Sequence, residues 1–383
     1  MPSPRLRLPK LPTGQCSPEN PYVCQQMIMP TNKIYRVLAL SAAKHEYVAT
    51  AFTNHPRFEV VGVADDTSAE SWIHQRNEAL ARDLSVPYER DVGKAIQRLA
   101  PDVAVVSSEA ARHASLSIRA AEAGLHVVQD KPMAPTVDDC DAIVHAVEGA
   151  NVHFLLWNRN THPSIIDARN MVRAGEIGTP QSVHIDFFFS KDAGILIDSE
   201  EEEEIPASWL GEGELTVEGI YPLAYIRYIL RLDVERVFAR TSAHFFKRHA
   251  ARGVEDIGTV TLELENGAIG SLCIGRIGRP SHPNLGEIRI HITGTNGAMV
   301  VAEPKPEIAV HARGLKATDF RNRRTDETTD RKQVDHFVSA LDEGLDTLLT
   351  AREGRHIAAI VAAAKTSAQS GLATEVSRKT HDH

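Results

Sequence analysis

A few side chains of this 383-residue sequence could move a proton or hold an oxyanion. In Asp130-Lys131-Pro132 an ammonium stands just past a short apolar run, Leu125-His126-Val127-Val128. An ammonium beside a hydroxyl stabilises a developing alkoxide and helps to lower the hydroxyl pKa. Farther along, Tyr221 supplies a phenol that can exchange a proton with a hydroxyl when a lysine is near. Arg159, in Trp157-Asn158-Arg159, offers a guanidinium fork suited to a carboxylate or to hydroxyls. Each has a plainer reading: a surface lysine, a core or interface aromatic, a structural ion pair. Tyr225 and Tyr228, at helical spacing from Tyr221, read as packing residues.

The elements that must position these groups follow from apolar patterning. Val37-Leu38-Ala39-Leu40, a small-residue turn at Ser41-Ala42-Ala43 and a stretch to about Asn54 read as strand, turn and helix. Glu59 to Ala64, closed by Asp65-Asp66, is a second buried strand. Helices are predicted over about 68–84 and 91–99, and Val103 to Val106 is a third strand. An alanine-rich helix over 112–123 ends at Gly124, a natural cap, ahead of the fourth strand, Leu125 to Val128. This alternation predicts a doubly wound parallel sheet, which puts Lys131 on the carboxyl edge where such sheets bind ligands.

Beyond about residue 150 strands follow one another: 183–189, 234–243, 258–264, 268–275, 288–293 and 298–301. Asn266-Gly267 and Asn296-Gly297 stand where hairpin turns belong. Helices over about 331–343 and 354–370 close the chain. The expected fold class is therefore α/β: an N-terminal doubly wound sheet and a C-terminal α+β part with an open, mostly antiparallel sheet. The expected division is a proline-rich flexible arm over 1–32, a nucleotide-binding domain over 33–150 and an α+β substrate and oligomerisation domain over 151–383. The arm is either an over-long start, given Met27 and Met29, or a segment that wraps a partner subunit.

Composition removes several classes of function. With 42% apolar and 24% charged residues, collagen-like, disordered and disulfide-scaffold chains are excluded. Asp198 and Glu200 to Glu204 supply six of the acids behind a net charge of -9, and the run reads as a solvated loop. No basic face for nucleic acid is evident. Four scattered cysteines, with no metal-ligand spacing, fit a reducing, cytoplasmic setting and predict no metal. No apolar stretch reaches the length of a membrane span, and the first 32 residues lack the apolar core of a signal peptide.

Four segments in order resemble the glucose-fructose oxidoreductase/inositol dehydrogenase (Gfo/Idh/MocA) family: Val61 to Asp66; His113 to Ala134, ending in Asp130-Lys131-Pro132; Arg159 with Met171 to Gly178; and Gly211 to Leu230 with the tail from Asp335-His336-Phe337 to Gly371. The resemblance covers about 33–371. It implies a Rossmann domain followed by an open-faced sheet that forms oligomers, and hydride transfer between a nicotinamide nucleotide and a sugar or polyol.

The resemblance implies a set of site residues. The family's G-x-G-x-x-G falls on Ser41, Ala43 and Glu46, the largest departure in the chain. Small side chains at 41 and 43 leave room, but a first-turn alanine that requires positive φ is strained, and Glu46 adds charge near two phosphates. A turn that no longer binds a dinucleotide is the competing reading. Asp65, at the end of the second strand, can accept both ribose hydroxyls of NAD and repel the extra phosphate of NADP. Ser107, His113, Asp130 and Lys131 complete the cofactor set, although His113 also reads as a structural helix-start residue. Lys131 and Tyr221 are the expected catalytic pair, Tyr221 standing where the family has histidine. Val217 stands where it has aspartate, and Glu218 substitutes only if the helix shifts locally. Arg159 and Glu218 are the expected substrate-binding residues.

The expected activity is NAD-dependent oxidoreduction of a secondary alcohol of a sugar, sugar derivative or cyclitol, in a homo-oligomer. Two alternatives stand beside it: transient oxidation by held NAD that activates elimination or glycosidic cleavage, and a degenerate binding or regulatory homologue without turnover.

Overall fold

In the computed structural model, the described residues are 33–189, 213–276, 288–303, 307–312, 319–322 and 329–378. The arm over 1–32 and the acidic run Glu200 to Glu204 lie outside them. The described residues belong to one compact unit.

The first sheet is six-stranded and wholly parallel. Its strands are β1 (Tyr35–Leu40), β2 (Phe58–Ala64), β3 (Tyr88–Glu89), β4 (Val103–Val106), β5 (His126–Gln129) and β6 (Phe154–Leu156). The order β3-β2-β1-β4-β5-β6 reverses direction between β1 and β4, which opens the crevice where such sheets take their ligands. Strands β1 and β4 are buried on both faces, as uninterrupted apolar runs require. Between them run α1 (Glu46–Thr50), α2 (Ser71–Asp83), α3 (Val92–Leu99), α4 (Ala110–Glu122) and α5 (Val137–Gly149). Helix α1 is five residues long, and the expected continuation to Asn54 is a set of turns instead. Strand β6 lies beyond residue 150 and pairs with β5.

The second sheet has nine strands in the order β14-β13-β12-β11-β7-β10-β9-β8-β15. They are β7 (Pro180–Phe189), β8 (Val234–Ser242), β9 (Ile257–Leu264), β10 (Ile269–Arg276), β11 (Ile288–Gly294), β12 (Gly297–Glu303), β13 (Glu307–Ala312), β14 (Asp319–Asn322) and β15 (Thr374–Glu375). Among the described residues of this sheet only β7 and β10 pair in parallel; the other ladders are antiparallel. At Asn266 and Gly267 φ is +66° and +80°, the left-handed geometry that asparagine and glycine tolerate in the β9–β10 hairpin. Strand β9 alternates buried and exposed residues, so one face is packed and the other faces outward.

Helix α6 (Pro163–Arg173) joins the sheets, α7 (Glu214–Val217) and α8 (Ile220–Tyr225) precede β8, and α9 (Lys247–Arg252) lies between β8 and β9. The closing helices, α10 (Thr329–Glu343) and α11 (Ala351–Ser370), return to the first sheet. Phe337 of α10 stacks on Phe58 at 6.3 Å and meets Phe52 edge-on at 6.4 Å. Gln333 exchanges hydrogen bonds with the Asn158 backbone. Gly354 of α11 abuts Leu156 and Met133, where a Cβ would be too close. No helix among the described residues is long and apolar enough to cross a membrane.

Candidate active site

At the carboxyl edge of the first sheet, β5 runs straight into Asp130 and Lys131, and the Lys131–Pro132 peptide is cis. Lys131 is 5% exposed, and its Nζ donates to Glu218 Oε1 at 3.1 Å. Glu218 caps α7 at a break before α8, and that break aims its carboxylate at the lysine. Gly219 is needed there because a Cβ would collide with the Leu215 carbonyl oxygen. Arg276, at the end of β10, donates to Glu218 at 3.0 Å and to Glu214 at 2.9 Å.

This is a dense, buried ionic network. Burial pushes Glu218 toward its neutral form, but Lys131 and Arg276 outweigh it and hold the carboxyl below its ordinary range. Lys131 is disfavoured by burial and raised by Glu218 and Asp130, with a net upward direction. Glu214 is moved the other way: burial pushes it up to about 7 against the pull of Arg276, and its Oε2 has no partner among the described residues. Lys44 is held below its usual value by burial and by neighbouring Lys131, so it faces the same cluster.

Tyr221 packs inside this cluster. Its ring stacks on Phe187 at 6.0 Å, with Lys131 Nζ 5.7 Å and Arg159 Cζ 5.1 Å from the ring centre. The fold thus gathers Lys131, Arg159 and the neighbouring pair Glu218 and Tyr221 from three separate stretches of chain.

The remaining candidates lie along the crevice. Asp130 accepts from His45 Nδ1 at 2.5 Å and from Ser107 Oγ at 3.3 Å, while its Oδ1 is buried without a partner among the described residues. His113 is wholly buried between the carbonyl oxygens of Ser108 and Pro132, and burial lowers its pKa. That position braces the Lys131 loop. In the turn after β1 the left-handed residue is Ser41, at φ +56°; Ala43 is not in that region. Glu46 begins α1 and is exposed.

Asp65 closes β2, fully buried, with its oxygens engaged by Arg112 at 2.5 and 3.2 Å, Asn77 at 2.9 Å and the Asp66 N–H at 2.8 Å. Sequence reading did not single out Arg112, Asn77, Glu109, His45, Glu214 or Arg276. Only Glu214 carried a signal, being one helical turn before Glu218.

A family profile described as "Oxidoreductase family, NAD-binding Rossmann fold" matches residues 40–156, and one for the "GFO/IDH/MocA C-terminal domain" matches 165–300. Together they span more than half of the chain. The protein belongs to the Gfo/Idh/MocA oxidoreductases. Among relatives of this Gfo/Idh/MocA chain, the oxidoreductase YrbE of Bacillus subtilis is 25% identical over 72% of this chain and 78% of its own. The scyllo-inositol 2-dehydrogenase (NAD(+)) of the same organism is 22% identical over 69% and 72%. A levoglucosan dehydrogenase solved in complex with NADH superposes with a TM-score of 0.74 at 20% identity, over 90% of this chain and all of that one. An Agrobacterium radiobacter oxidoreductase in complex with NAD+, L-tartaric acid and magnesium gives 0.73 at 18%, over 89% and 98%. These likenesses establish the shared fold.

Residues 40–156 of this Gfo/Idh/MocA member are thus the family's NAD-binding Rossmann fold, and the donor set suits the group. Small residues form the turn at the switch point, Asp65 closes β2, and two guanidinium groups stand on the turn: Arg112 near Ser41 Oγ at 3.3 Å and Arg76 on the Ala43 carbonyl at 2.6 Å. No group of His, Cys, Asp or Glu that could hold a metal occurs among the described residues.

Proposed function

We propose that this protein is an NAD-dependent dehydrogenase acting on a secondary alcohol of a sugar, sugar derivative or cyclitol. The observation that carries this reading is the cluster of Lys131, Glu218, Tyr221 and Arg159 on the carboxyl edge of a Rossmann sheet. Bound NAD supplies the hydride acceptor. Lys131 donates a hydrogen bond to the reacting hydroxyl and stabilises alkoxide character as the proton leaves. Tyr221 receives and returns that proton, helped by the two cations against its ring. Arg159 and Glu218 bind neighbouring hydroxyls, one as donor and one as acceptor. Asp65, Ser41, Ala43, Ser107, His113 and Asp130 belong to the cofactor side, and the Asp65 carboxylate favours NAD over NADP.

The same reading divides the chain near residue 150, with the outward face of the nine-stranded sheet as a homo-oligomer interface. The relatives' names support a polyol class: two of them are dehydrogenases of scyllo-inositol and levoglucosan. The test is to titrate NAD by thermal shift and then follow NAD reduction by absorbance across a panel of aldoses, anhydrosugars and inositols. A dinucleotide-dependent shift with turnover of at least one cyclic polyol is expected. Binding without turnover of any of them would replace this reading with that of a non-catalytic homologue.

A further inference from the structure

The turn after β1 has little backbone left for phosphates. The Ser41 N–H donates to Ala64 O at 2.9 Å, the Ala42 N–H to Asn77 Oδ1 at 2.9 Å and the Lys44 N–H to Ser107 O at 3.0 Å. In a glycine-rich turn such groups would face the diphosphate. A guanidinium stands over this turn instead. Arg112, on the first turn of α4, reaches Ser41 Oγ at 3.3 Å, both oxygens of Asp65, and both oxygens of Glu109 at 2.5 and 3.1 Å. One Nη1 hydrogen has no partner among the described residues, and the side chain is 22% exposed.

We propose that Arg112 is the diphosphate-binding residue of this protein and takes over the part played elsewhere by glycine backbone. The inference rests on the dinucleotide reading above and adds a residue to it. A guanidinium is planar, always charged and matched to phosphate oxygens. Its partner Asp65 is matched to a diol. One ligand class carries both groups side by side: a nucleoside 5′-diphosphate with a free ribose diol. Binding exchanges the Arg112–Asp65 pair for two contacts of equal chemical fit, Arg112 on phosphate and Asp65 on the hydroxyls, while Glu109 keeps Nε. The tie to Ser41 explains how a turn built of serine and alanine can still serve an anion.

Removing Arg112 alone would leave buried Asp65 short of its counter-ion, so the comparison uses a neutralised background. Calorimetric titration with ADP-ribose and with NADH is run on the wild type, on Asp65→Asn and on Asp65→Asn combined with Arg112→Gln, with melting temperatures recorded for each. Loss of a charge-assisted bidentate contact predicts that the double variant binds both ligands about 30-fold more weakly than Asp65→Asn. It also predicts loss of most of the salt dependence of binding. Arg112→Lys in the same background is expected to recover part of the affinity. Equal or tighter binding by the double variant overturns the role of Arg112 and leaves the dehydrogenase reading standing. A folded wild type that binds neither ligand overturns both.

Discussion

The ammonium of Lys131 and the carboxylate of Glu218 meet at 3.1 Å, across a pair that ties the end of β5 to the break between α7 and α8. Neither side chain is more than a tenth exposed. A pair so enclosed has lost its hydration, so its net contribution to stability is modest while the penalty for breaking it is large. Its position points instead to holding Lys131 charged and directed.

Replacing Lys131 with Met is expected to destabilise the protein by about 3 kcal/mol, because buried Glu218 loses its ammonium partner while keeping its bond to Arg276. Glu218→Gln in the same chain should recover part of that loss. A double-mutant cycle by urea denaturation should give a coupling of about 1–3 kcal/mol. Additive single effects would show that the two groups do not interact in solution.

Glu214 predicts a pH dependence of unusual sign for an acid. Its folded pKa of about 7 lies above the ordinary carboxyl value, so the folded state binds the extra proton. Its contribution is present in full below the ordinary carboxyl range and is lost as pH rises toward 7. Glu214→Gln should flatten the change of melting temperature with pH across that window. An unchanged slope would mean that Glu214 ionises normally.

Tyr221→Phe keeps the ring that stacks on Phe187 and removes only the hydroxyl. The chemical step is expected to slow by roughly 100-fold with the melting temperature nearly unchanged. A large stability loss with normal single-turnover rates would assign Tyr221 to packing.

Ser41 and Ala43 should answer differently to glycine. Ser41 holds φ +56°, so Ser41→Gly relieves left-handed strain of about 1 kcal/mol or more, less the lost bond to Arg112 and added backbone entropy. Ala43 is outside the left-handed region, and Ala43→Gly should destabilise by about 0.5–1 kcal/mol through backbone entropy. Ser41→Gly is therefore expected to melt close to the wild type and Ala43→Gly below it, which thermal unfolding of the two variants checks.

Phe337 ties the closing helices to the first sheet and is 1% exposed. Phe337→Ala is expected to remove about 3–5 kcal/mol. Retention of wild-type stability would show that α10 does not need this contact.

The amino-acid sequence by itself determined the two sheets and the edge on which Lys131 stands. Apolar runs such as Val103 to Val106 can be buried only between layers, and alternation in β9 can be satisfied only on a one-faced sheet; both are short-range patterns. It also marked Tyr221 and Arg159, because the segments around them resemble those of the family. What it did not carry was pairing across the chain. Arg112 lies 47 residues from Asp65, and Arg276 lies 58 from Glu218; no periodicity links residues so far apart. Whether a carboxylate is free, paired with a guanidinium or held protonated depends on which charges the fold packs against it and how much water it excludes. That is why the tertiary structure alone decided that Glu214 sits near pH 7, that Glu218 faces Lys131, and that Asp65 meets an arginine at the crevice.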